Sequence, residues 1–509
     1  MRMKDRIRIL VTSDVHGMIF GTDYARGGSR PMGMVKMKTL VDSLRDENTL
    51  LIDNGDSLEG TPFIFHYYHV DRTRPNPAAI PLSVMGYDYV NVGNHDFNYG
   101  MKELKRFLRE TGAFCITGNV VHNGVPLGPK YLLRKIGGLT IAFFGITTQY
   151  VPHWENPANI EGVEFLDAYD YAVKTVSEIK EKEHADVIVG VYHGGFEKHP
   201  VTGAITSETD ENEGYRIMQD IDGLDLLIMG HQHDSAQGVL CGTAYTETKS
   251  RAQEIAVHDI DTKTRKITTS IVPVTEETQD DPVLLEKLLP YENACLSWLD
   301  KKLGECTEDL RVKDPMDARI HKAQVITLMN EAFMEMSGAD LSATALFQGA
   351  TGFPQEITMR GLLSTYMFPN TLVVKEITGS ALKEYLEKNA EFWTVKDGQI
   401  TVSDRAIPAH PLYHNYDMAD GIEYTVKVSN PVGERVISLT RNGVPVKDSD
   451  KFTIAVNNYR AVGGGEFDMI KNAPTVKEDA RSMVEILAEY IMKHPKIDFT
   501  PVHNITLIP

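Results

Sequence analysis

The sequence predicts a two-domain α/β protein, and three observations support that prediction. Apolar runs of strand length alternate with helical patterns from Ile7 to about Val274. Short polar clusters come directly after five of these apolar runs. An acidic, proline-punctuated stretch follows, and a second set of strands and helices runs from Ala323 to the end of the chain. This alternation is typical of layered domains in which helices cover a sheet that is buried on both faces.

The first domain is expected over residues 1–275. Its predicted strands are residues 7–11, 49–52, 89–92, 114–117, 140–145, 186–191 and 224–229. Its predicted helices are residues 34–44, 101–109, 169–181 and 213–218. Near the end of the domain the pattern changes to hairpin-like strands at 255–260 and 266–272.

Residues 276–320 are predicted to form a helical linker, with its helix at 283–302. Glycine and serine are sparse there, so the linker is expected to be semi-rigid. The second domain is expected over residues 321–509. It has predicted helices at 325–336, 380–392 and 481–493 and predicted strands at 372–377, 424–428, 437–441 and 451–456. Asn442-Gly443 between two of these strands is typical of a hairpin turn.

Composition narrows the classes of partner. The chain has 52 basic and 71 acidic residues, for a formal net charge of −19. Such a charge disfavours binding to nucleic-acid polymers and to anionic membranes. No stretch approaches the eighteen or so apolar residues of a membrane span. A small anionic substrate would need a local positive centre, for which metal ions are the natural candidate.

The cysteines and the N-terminal sequence bear on the cellular compartment. Cys115, Cys241, Cys295 and Cys306 lie far apart without a CxxC pair, so they are expected to be reduced thiols. The apolar run at 7–11 is too short for the core of a signal peptide. We therefore expect a cytoplasmic protein, or an extracytoplasmic one if a leader has been removed. The oligomeric state is left open.

The polar clusters carry the chemistry. Their side chains are oxygen and nitrogen donors without a thiolate: Asp14, His16, Asp56, Asn94, His193, His231 and His233. One such cluster alone could be a polar turn, but five at strand ends are expected to face one another, because ligands of open α/β sheets bind at the carboxyl ends of strands. The set suits Mn, Zn, Fe, Co or Mg. It divides into two sets sharing one bridging carboxylate, as two ions of a phosphoryl-transfer site would require.

The motifs at these positions resemble a known family. Asp14-x-His16, Gly55-Asp56, Gly93-Asn94-His95-Asp96, His193 and Gly230-His231-x-His233 are similar to those of calcineurin-like metallophosphoesterases. The second half resembles the C-terminal domain of 5′-nucleotidases. Together they resemble the 5′-nucleotidase / 2′,3′-cyclic-nucleotide phosphodiesterase family over nearly the whole chain. The resemblance implies a four-layer α/β/β/α first domain and a C-terminal substrate-binding domain that can rotate on the linker helix.

The resemblance also implies a role for each donor. Asp14, His16 and His233 would hold the first ion. Asn94, His193 and His231 would hold the second, and Asp56 would bridge the two. His95 would contact the phosphoryl group and stabilise the charge of the transition state.

Two positions indicate the branch of the family. In 5′-nucleotidases a carboxylate usually stands three residues after the histidine and orients it, whereas this chain has Asn98. Asn98-Tyr99-Gly100 instead resembles the 2′,3′-cyclic phosphodiesterase/3′-nucleotidase branch, and Asp96 is not automatically assigned the place of the missing carboxylate. The arginine-bearing Gly-Gly-x-Arg segment of 5′-nucleotidases also has no counterpart at 349–354; Arg360 lies outside the motif.

Two segments of the second half resemble the nucleoside-contacting segments of the family, at 367–372 and 457–465. Phe368 and Tyr459 would sandwich the base, although as isolated aromatics they would be assigned to a core. The predicted polar and backbone contacts are Asn370, Asn458, Gly463 and Gly464.

The sequence therefore predicts a metal-dependent hydrolase of nucleotide phosphoesters. The expected reaction is hydrolysis of a 2′,3′-cyclic nucleotide to its 3′-nucleotide and then to the nucleoside, with His95 and Asn98 as catalytic residues. The alternative within the class is a 5′-nucleotidase or nucleotide-sugar hydrolase. The alternative outside it is a nucleotide-binding sensor that has kept the fold.

Overall fold

The computed structural model describes residues 5–24, 27–153, 155–207, 209–368, 370–406 and 412–509. Pro369, in one predicted nucleoside-contacting segment, lies outside these residues. The chain forms two compact units, the first ending at Leu296 and the second beginning at Ser297. Helix α7 (Pro282–Leu299) crosses from one to the other and contains Pro290.

The first unit is built around two mixed sheets. Its strands are β1 (Arg6–Thr12), β2 (Thr49–Asp53), β3 (Tyr89–Val90), β4 (Phe114–Cys115), β5 (Val120–His122), β6 (Val125–Pro126), β7 (Leu132–Ile136), β8 (Leu139–Thr147), β9 (Val163–Phe165), β10 (Val187–His193), β11 (Leu226–Met229), β12 (Ala236–Leu240), β13 (Thr243–Glu247), β14 (Glu254–Asp261) and β15 (Ile267–Pro273). Its helices are α1 (Met34–Leu44), α2 (Pro62–His69), α3 (Ala79–Met85), α4 (Gly100–Thr111), α5 (Ala168–Lys182) and α6 (Gly214–Asp220).

The first sheet has the strand order β15-β14-β1-β2-β3-β4, and the second has the order β12-β13-β11-β10-β8-β7. Strands β1 to β4 are parallel, as are β8, β10, β11 and β13. One apolar core lies between the sheets, where Ile9 and Ile52 of the first meet Phe143 and Val189 of the second. A second core packs α5 and α6 on the other face of the second sheet. This is the predicted α/β/β/α arrangement.

Helices α2 and α3 were not predicted from the sequence. Six of the eight residues of α2 are buried, so its sequence PFIFHYYH has no polar face from which a helical period could be read. Its start is nevertheless defined, because the Thr61 side chain accepts a hydrogen bond from the backbone of Ile64, and Pro62 occupies the first turn. Helix α3 is short and contains Pro81.

The second unit is also α/β. Its strands are β16 (Lys302–Cys306), β17 (Leu310–Arg311), β18 (Leu341–Ala345), β19 (Gly352–Phe353), β20 (Glu356–Thr358), β21 (Thr371–Thr378), β22 (Trp393–Lys396), β23 (Gln399–Val402), β24 (Asp417–Asp420), β25 (Glu423–Lys427), β26 (Val436–Arg441), β27 (Val444–Pro445), β28 (Lys451–Asn457), β29 (Thr475–Ser482), β30 (Lys496–Ile497) and β31 (Ile505–Ile508). Its helices are α8 (Asp317–Ile320), α9 (Gln324–Ser337), α10 (Met359–Thr365), α11 (Gly379–Ala390), α12 (Asn458–Ala461), α13 (Asp468–Lys471) and α14 (Met483–Lys493).

The main sheet of the second unit has the order β24-β18-β28-β21-β29. The range 276–320, expected as a linker, holds α7 at its start and β16, β17 and α8 towards its end. Asn442-Gly443 does form a hairpin turn, with φ of 53° and 74°. It joins β26 to the short β27, where the sequence suggested the later strand at 451–456 as its partner.

Two further expectations concern cysteines and membranes. Cys115, Cys241, Cys295 and Cys306 are all free thiols, as predicted. Within the described part of the chain, the helices are too short or too polar to cross a bilayer.

Candidate active site

The predicted metal ligands all lie at the carboxyl ends of parallel strands in the first unit or on the loops that leave those ends. Asp14 and His16 follow β1, Asp56 follows β2 and Asn94 follows β3. His193 ends β10, and His231 and His233 follow β11. Strands β1 to β3 belong to one sheet and β10 and β11 to the other. The loops of both sheets therefore contribute side chains to the same edge of the sandwich.

The structure brings these side chains together in two groups. Asp14, His16 and His233 form one, and Asp56, His193 and His231 form the other, with the candidate ligand atoms of each group within 4.8 Å of one another. Asn94 joins the second group, because its Oδ1 lies 3.2 Å from His193 Nε2 and 2.9 Å from His231 Nδ1.

Asp56 lies between the groups. Its Oδ2 is 3.2 Å from Nε2 of His193 and 3.8 Å from Nε2 of His16, which belong to different groups. The position suits the carboxylate that two ions would share.

Backbone carbonyls fix which ring nitrogen of two histidines faces the site. His193 Nδ1 donates to the carbonyl of Asn54 at 2.6 Å, and His16 Nδ1 donates to the carbonyl of Glu59 at 3.1 Å. In each ring Nε2 is thereby turned towards the carboxylates. Nε2 of His16 also lies 2.9 Å from Nε2 of His233, so the two ring nitrogens face the same point. The donor set thus fits divalent ions.

The pKa shifts of the grouped side chains also favour the binding of cations. Burial opposes ionisation of Asp56, yet His193 and His95 outweigh it and hold the pKa of this carboxyl well below its usual range. Burial lowers the pKa of His16 to about 3, and His233 adds to the shift. Burial would also lower the pKa of His193, but Asp56 and Asp14 raise it to about 10. The two buried carboxylates therefore attract positive charge to this point.

Five of the seven predicted ligands have left-handed backbone conformations, which side chains other than glycine seldom adopt. The φ angles are 53° for Asp14, 49° for His16, 58° for Asp56, 77° for His231 and 62° for His233. Such conformations persist where the surrounding structure enforces them, and they cluster at functional sites.

Gly93 gives the two ligand loops room to meet. A Cβ atom there would lie 2.2 Å from Asp56 Oδ1 and 2.7 Å from His193 Cε1. We expect Gly93→Ala to displace both ligands and to lower kcat about 100-fold, since a shift of about 1 Å in a catalytic group costs that much. Phosphatase assays and metal analysis of the purified protein measure this.

Gly361→Ala is the matched control, because a Cβ at Gly361 meets its nearest neighbour at 3.8 Å. Unchanged kcat and metal content in Gly93→Ala would contradict the prediction.

His95 lies beside the two groups and is held by Asn98. The ring Nδ1 is 2.9 Å from Asn98 Oδ1 and 3.4 Å from Glu59 Oε2. Burial would lower the pKa of His95, but Asp56 and Glu59 outweigh it and raise the pKa to about 9.

Asp96 has a different task. Its carboxylate accepts hydrogen bonds from the backbone amides of Asp56, Ser57, Leu58 and Gly93 at 2.8–3.1 Å. It therefore ties the loop after β2 to the loop after β3.

Sequence reasoning missed several residues around the site. Glu211 Oε1 accepts from His231 Nε2 at 2.8 Å, which turns Nδ1 of that ring towards Asn94. Glu155 contacts Asn98 Nδ2 at 2.6 Å. Asn91 Nδ2 donates to Asn54 Oδ1 at 3.0 Å beneath the ligands. Glutamates outside strand ends give no signal in a sequence, whereas Asn54 and Asn91 directly follow the observed strands β2 and β3 and lie among the polar residues at predicted strand ends, where they could have been found.

In the second unit the two predicted nucleoside-contacting segments lie side by side. Asn458 Oδ1 accepts from the backbone amide of Thr371 at 3.0 Å. Phe368 is 41% exposed and meets Phe347 edge-on, so it is not a core aromatic. A Cβ at Gly464 would lie 2.5 Å from the ring of Tyr459, which shows how closely this loop backbone approaches that side chain.

The remaining predicted residues of these segments lie nearby. Asn370 Nδ2 is 3.4 Å from the Tyr366 hydroxyl, and the backbone carbonyl of Asn370 accepts from Met483 N at 2.8 Å. Gly463 has φ of 97°, a conformation that favours glycine.

Arg460, next to Tyr459, supports this loop from within. It is 1% exposed, and its Nε donates to Asp417 Oδ2 at 2.7 Å. It also donates to the carbonyls of Gly464 and His414. We expect Arg460→Met to destabilise the second unit by about 3–5 kcal/mol, because Asp417 keeps a buried charge without its partner. Thermal or urea unfolding measures the loss.

Two variants make that test specific. Arg460→Met/Asp417→Asn should recover part of the loss, because the unpaired charge is removed. Arg311→Met is the control: its side chain is 60% exposed, so the change should stay within about 0.5 kcal/mol. Equal stability of Arg460→Met and wild type would show that the pair is dispensable.

Comparisons with known proteins agree with this geometry. The calcineurin-like phosphoesterase family matches residues 7–235, and the 5′-nucleotidase C-terminal domain matches residues 303–472. The chain is 28% identical to the 2′,3′-cyclic-nucleotide 2′-phosphodiesterase/3′-nucleotidase of Haemophilus influenzae, with 95% of this chain and 84% of that protein covered. A protein of the same name from Salmonella typhimurium is 25% identical, with 90% and 81% covered.

Among solved structures, a Staphylococcus aureus protein assigned as a 5′-nucleotidase superposes with a TM-score of 0.91 at 33% identity, covering 99% of each chain. The two-sheet sandwich and its paired donor groups define the first unit as a calcineurin-like phosphoesterase, a class that uses divalent metals. The chain belongs to the 5′-nucleotidase / 2′,3′-cyclic-nucleotide phosphodiesterase family. It is a hydrolase of phosphoric esters, which confirms the class predicted from its motifs.

Proposed function

We propose that the protein hydrolyses nucleoside 2′,3′-cyclic phosphates to 3′-nucleotides, and 3′-nucleotides to nucleosides. The observation that carries this choice of substrate is the contact of His95 Nδ1 with Asn98 Oδ1 at 2.9 Å, where 5′-nucleotidases usually have a carboxylate. The names of the relatives from Haemophilus influenzae and Salmonella typhimurium support the same choice.

Arg360, which lies near the altered 5′-nucleotidase motif, also supports this choice of substrate. Arg360 Nη2 forms an ion pair with Asp300 Oδ1 at 2.8 Å, and Nε of the same side chain donates to that carboxylate at 2.9 Å. The Arg360 guanidinium is thus engaged by a carboxylate, and it lies outside the segment where 5′-nucleotidases carry their arginine.

In the proposed site, Asp14, His16 and His233 would hold one divalent ion. Asn94, His193 and His231 would hold the other, and Asp56 would be shared by the two groups. Such a pair lowers the pKa of water and stabilises charge on phosphoryl oxygens when bound. The chain's own part is to keep the Nε2 atoms of His16 and His193 directed at the carboxylates, through the carbonyls of Glu59 and Asn54.

His95 acts on the phosphoryl group itself. Its Nδ1 is engaged by Asn98, so Nε2 is the atom left to meet the substrate. As an imidazolium it donates to a phosphoryl or leaving oxygen, where negative charge grows in the transition state. A donor placed this way is worth a few kcal/mol in a site from which water is excluded.

In the second unit, Phe368 and Tyr459 stack on the nucleoside base. Asn370, Asn458 and the backbone at Gly463 and Gly464 add polar contacts. We expect Tyr459→Ala to raise KM for nucleotides roughly 5- to 150-fold, because stacking on one aromatic side chain is worth about 1–3 kcal/mol. Steady-state kinetics on 3′-AMP measures this.

Tyr459→Phe keeps the ring and is expected to resemble wild type. Glycerol 2-phosphate, which has no base, should be hydrolysed equally by wild type and Tyr459→Ala. An equal rise of KM for glycerol 2-phosphate would assign Tyr459 a structural role instead.

The substrate proposal is tested by phosphate release and product analysis with 2′,3′-cyclic AMP, 3′-AMP and 5′-AMP, using protein loaded with manganese. Higher kcat/KM on the first two supports the proposal. A preference for 5′-AMP overturns it in favour of 5′-nucleotidase activity, which the likeness to the Staphylococcus aureus structure favours. Turnover of none of them, despite full metal loading, would favour the nucleotide-binding sensor.

The same preparation addresses two finer expectations. Loading with Mn, Zn, Fe, Co or Mg in turn identifies the ion that gives the highest kcat. A cytoplasmic location stays a prediction, which fractionation of the native cells tests.

A further inference from the structure

Asn98, the side chain that holds His95, is itself oriented by a residue far away in the sequence. Its Nδ2 donates to Glu155 Oε2 at 2.6 Å. Glu155 is 7% exposed and follows the short 3-10 turn Val151–His153, beyond the end of β8. The chain path therefore brings a buried carboxylate to the far side of the amide that faces the catalytic ring.

The hydrogen-bond partners of Glu155 favour a carboxylate at this position. Its Oε1 accepts from Asn156 N at 2.7 Å and from Asn159 Nδ2 at 2.9 Å, while its Oε2 accepts from Asn98 Nδ2. All three partners are donors, and a carboxylate offers acceptors on both oxygens. A glutamine there would turn its NH₂ group towards at least one N–H donor.

This arrangement decides which end of the Asn98 amide meets His95. The oxygen and nitrogen of an amide are similar in shape, so hydrogen-bond partners determine its orientation. Because Glu155 takes the NH₂ group, Oδ1 faces His95 Nδ1, and Nδ1 must be a donor. Asn159 Nδ2 also donates to the backbone carbonyl of Asn98 at 2.9 Å, which anchors the residue from a second side.

We propose that Glu155 is a positioning residue for His95, acting through Asn98, so that His95, Asn98 and Glu155 form a relay in place of a direct histidine–carboxylate pair. In this relay the carboxylate stands one side chain further from the ring. It fixes the amide, and the amide fixes the ring with Nε2 towards the substrate. The inference rests on the proposed role of His95 but not on the identity of the nucleotide.

The test is a double-mutant cycle with Glu155→Gln and Asn98→Asp. In the wild-type background, Glu155→Gln should lower kcat about 10-fold or more, the range seen when outer hydrogen-bond partners of a catalytic site are lost. KM and the metal content should change less than about twofold, because the substituted residue touches neither substrate nor ion.

In the Asn98→Asp background the sign should reverse. The aspartate of that variant has no side-chain N–H to give Glu155, and two carboxylates would face each other at the 2.6 Å contact. Glu155→Gln then supplies a donor to that carboxylate, so the double variant should be faster than Asn98→Asp alone. An effect of Glu155→Gln on kcat that has opposite signs in the two backgrounds is the signature of a relay.

Controls separate a relay from simple loss of structure. Glu155→Asp keeps the acceptors at shorter reach and should retain more activity than Glu155→Gln. Glu164→Gln, on the exposed side of β9, should behave as wild type in kinetics and thermal unfolding. All rates are measured on bis(p-nitrophenyl) phosphate and on whichever nucleotide the wild type turns over fastest, so an error in the proposed substrate leaves the cycle readable.

Three results would overturn the proposal. One is the same fractional loss from Glu155→Gln in both backgrounds. Another is full activity of Glu155→Gln alongside a large loss in Glu59→Gln, which would make Glu59, 3.4 Å from His95 Nδ1, the partner that matters. The third is a loss of kcat that only accompanies a loss of metal.

Discussion

Asp56→Asn is expected to lower kcat about 1000-fold and to reduce the number of metal ions bound per chain. Asp56 Oδ2 lies within 4 Å of a histidine from each donor group, so its charge serves both. Its Oδ1 also accepts from the backbone amide of His95 at 2.7 Å, a bond that an asparagine oxygen can keep. The variant thus removes charge with little change of shape. A bound ion contributes several kcal/mol to phosphoryl transfer, and about 4 kcal/mol corresponds to 1000-fold.

Metal analysis by mass spectrometry and kcat on the preferred substrate measure the effect. Asp42→Asn, whose side chain is 51% exposed, is the control. Full metal occupancy and near-normal kcat in Asp56→Asn would mean that the two groups do not share this carboxylate.

His95→Gln is expected to lower kcat about 10²- to 10⁴-fold while both ions stay bound. The ring is not among the grouped ligands; its polar contacts are to Asn98 and Glu59, and it meets the His16 ring edge-on. A positioned proton donor or acceptor contributes this much to many reactions. Glutamine can keep a polar contact but cannot carry the imidazolium charge. Kinetics and metal analysis on the same preparation separate this variant from Asp56→Asn.

His153→Gln is the matched control, because His153 is exposed and its ring stacks on Tyr150. Loss of metal from His95→Gln would reassign His95 as a ligand. Retention of wild-type kcat would remove it from the mechanism.

The clustering of the proposed ligands was predictable from the sequence because of where the residues stand. Asp14, Asp56 and His231 each come within a few residues of an apolar strand, and the carboxyl ends of parallel strands meet at one edge. Strands β2 and β10 were also predicted close to their observed positions, since each is a buried run bounded by polar residues, whereas β13, which is equally buried, was not predicted. The predicted helix at residues 34–44 agrees with α1 at both ends.

The surrounding carboxylates were not predictable in the same way. Glu155 and Glu211 lie in irregular segments, and their partners are 57 and 20 residues away. A glutamate in such a segment is most often solvated. Only the folded chain shows that one of them is buried and that both accept hydrogen bonds from groups at the site.

The left-handed backbone conformations of five proposed ligands lower the stability of the folded enzyme, and its catalysis requires them. Each such residue carries strain on the order of 1–3 kcal/mol relative to a relaxed backbone. Glycine at Asp14, His16, Asp56, His231 or His233 would relieve the strain and remove the ligand in the same step. Under a selection for heat resistance alone, glycine should therefore accumulate at these turns, and the resulting proteins should be thermostable but inactive. Only a selection that also demands turnover will keep the aspartates and histidines.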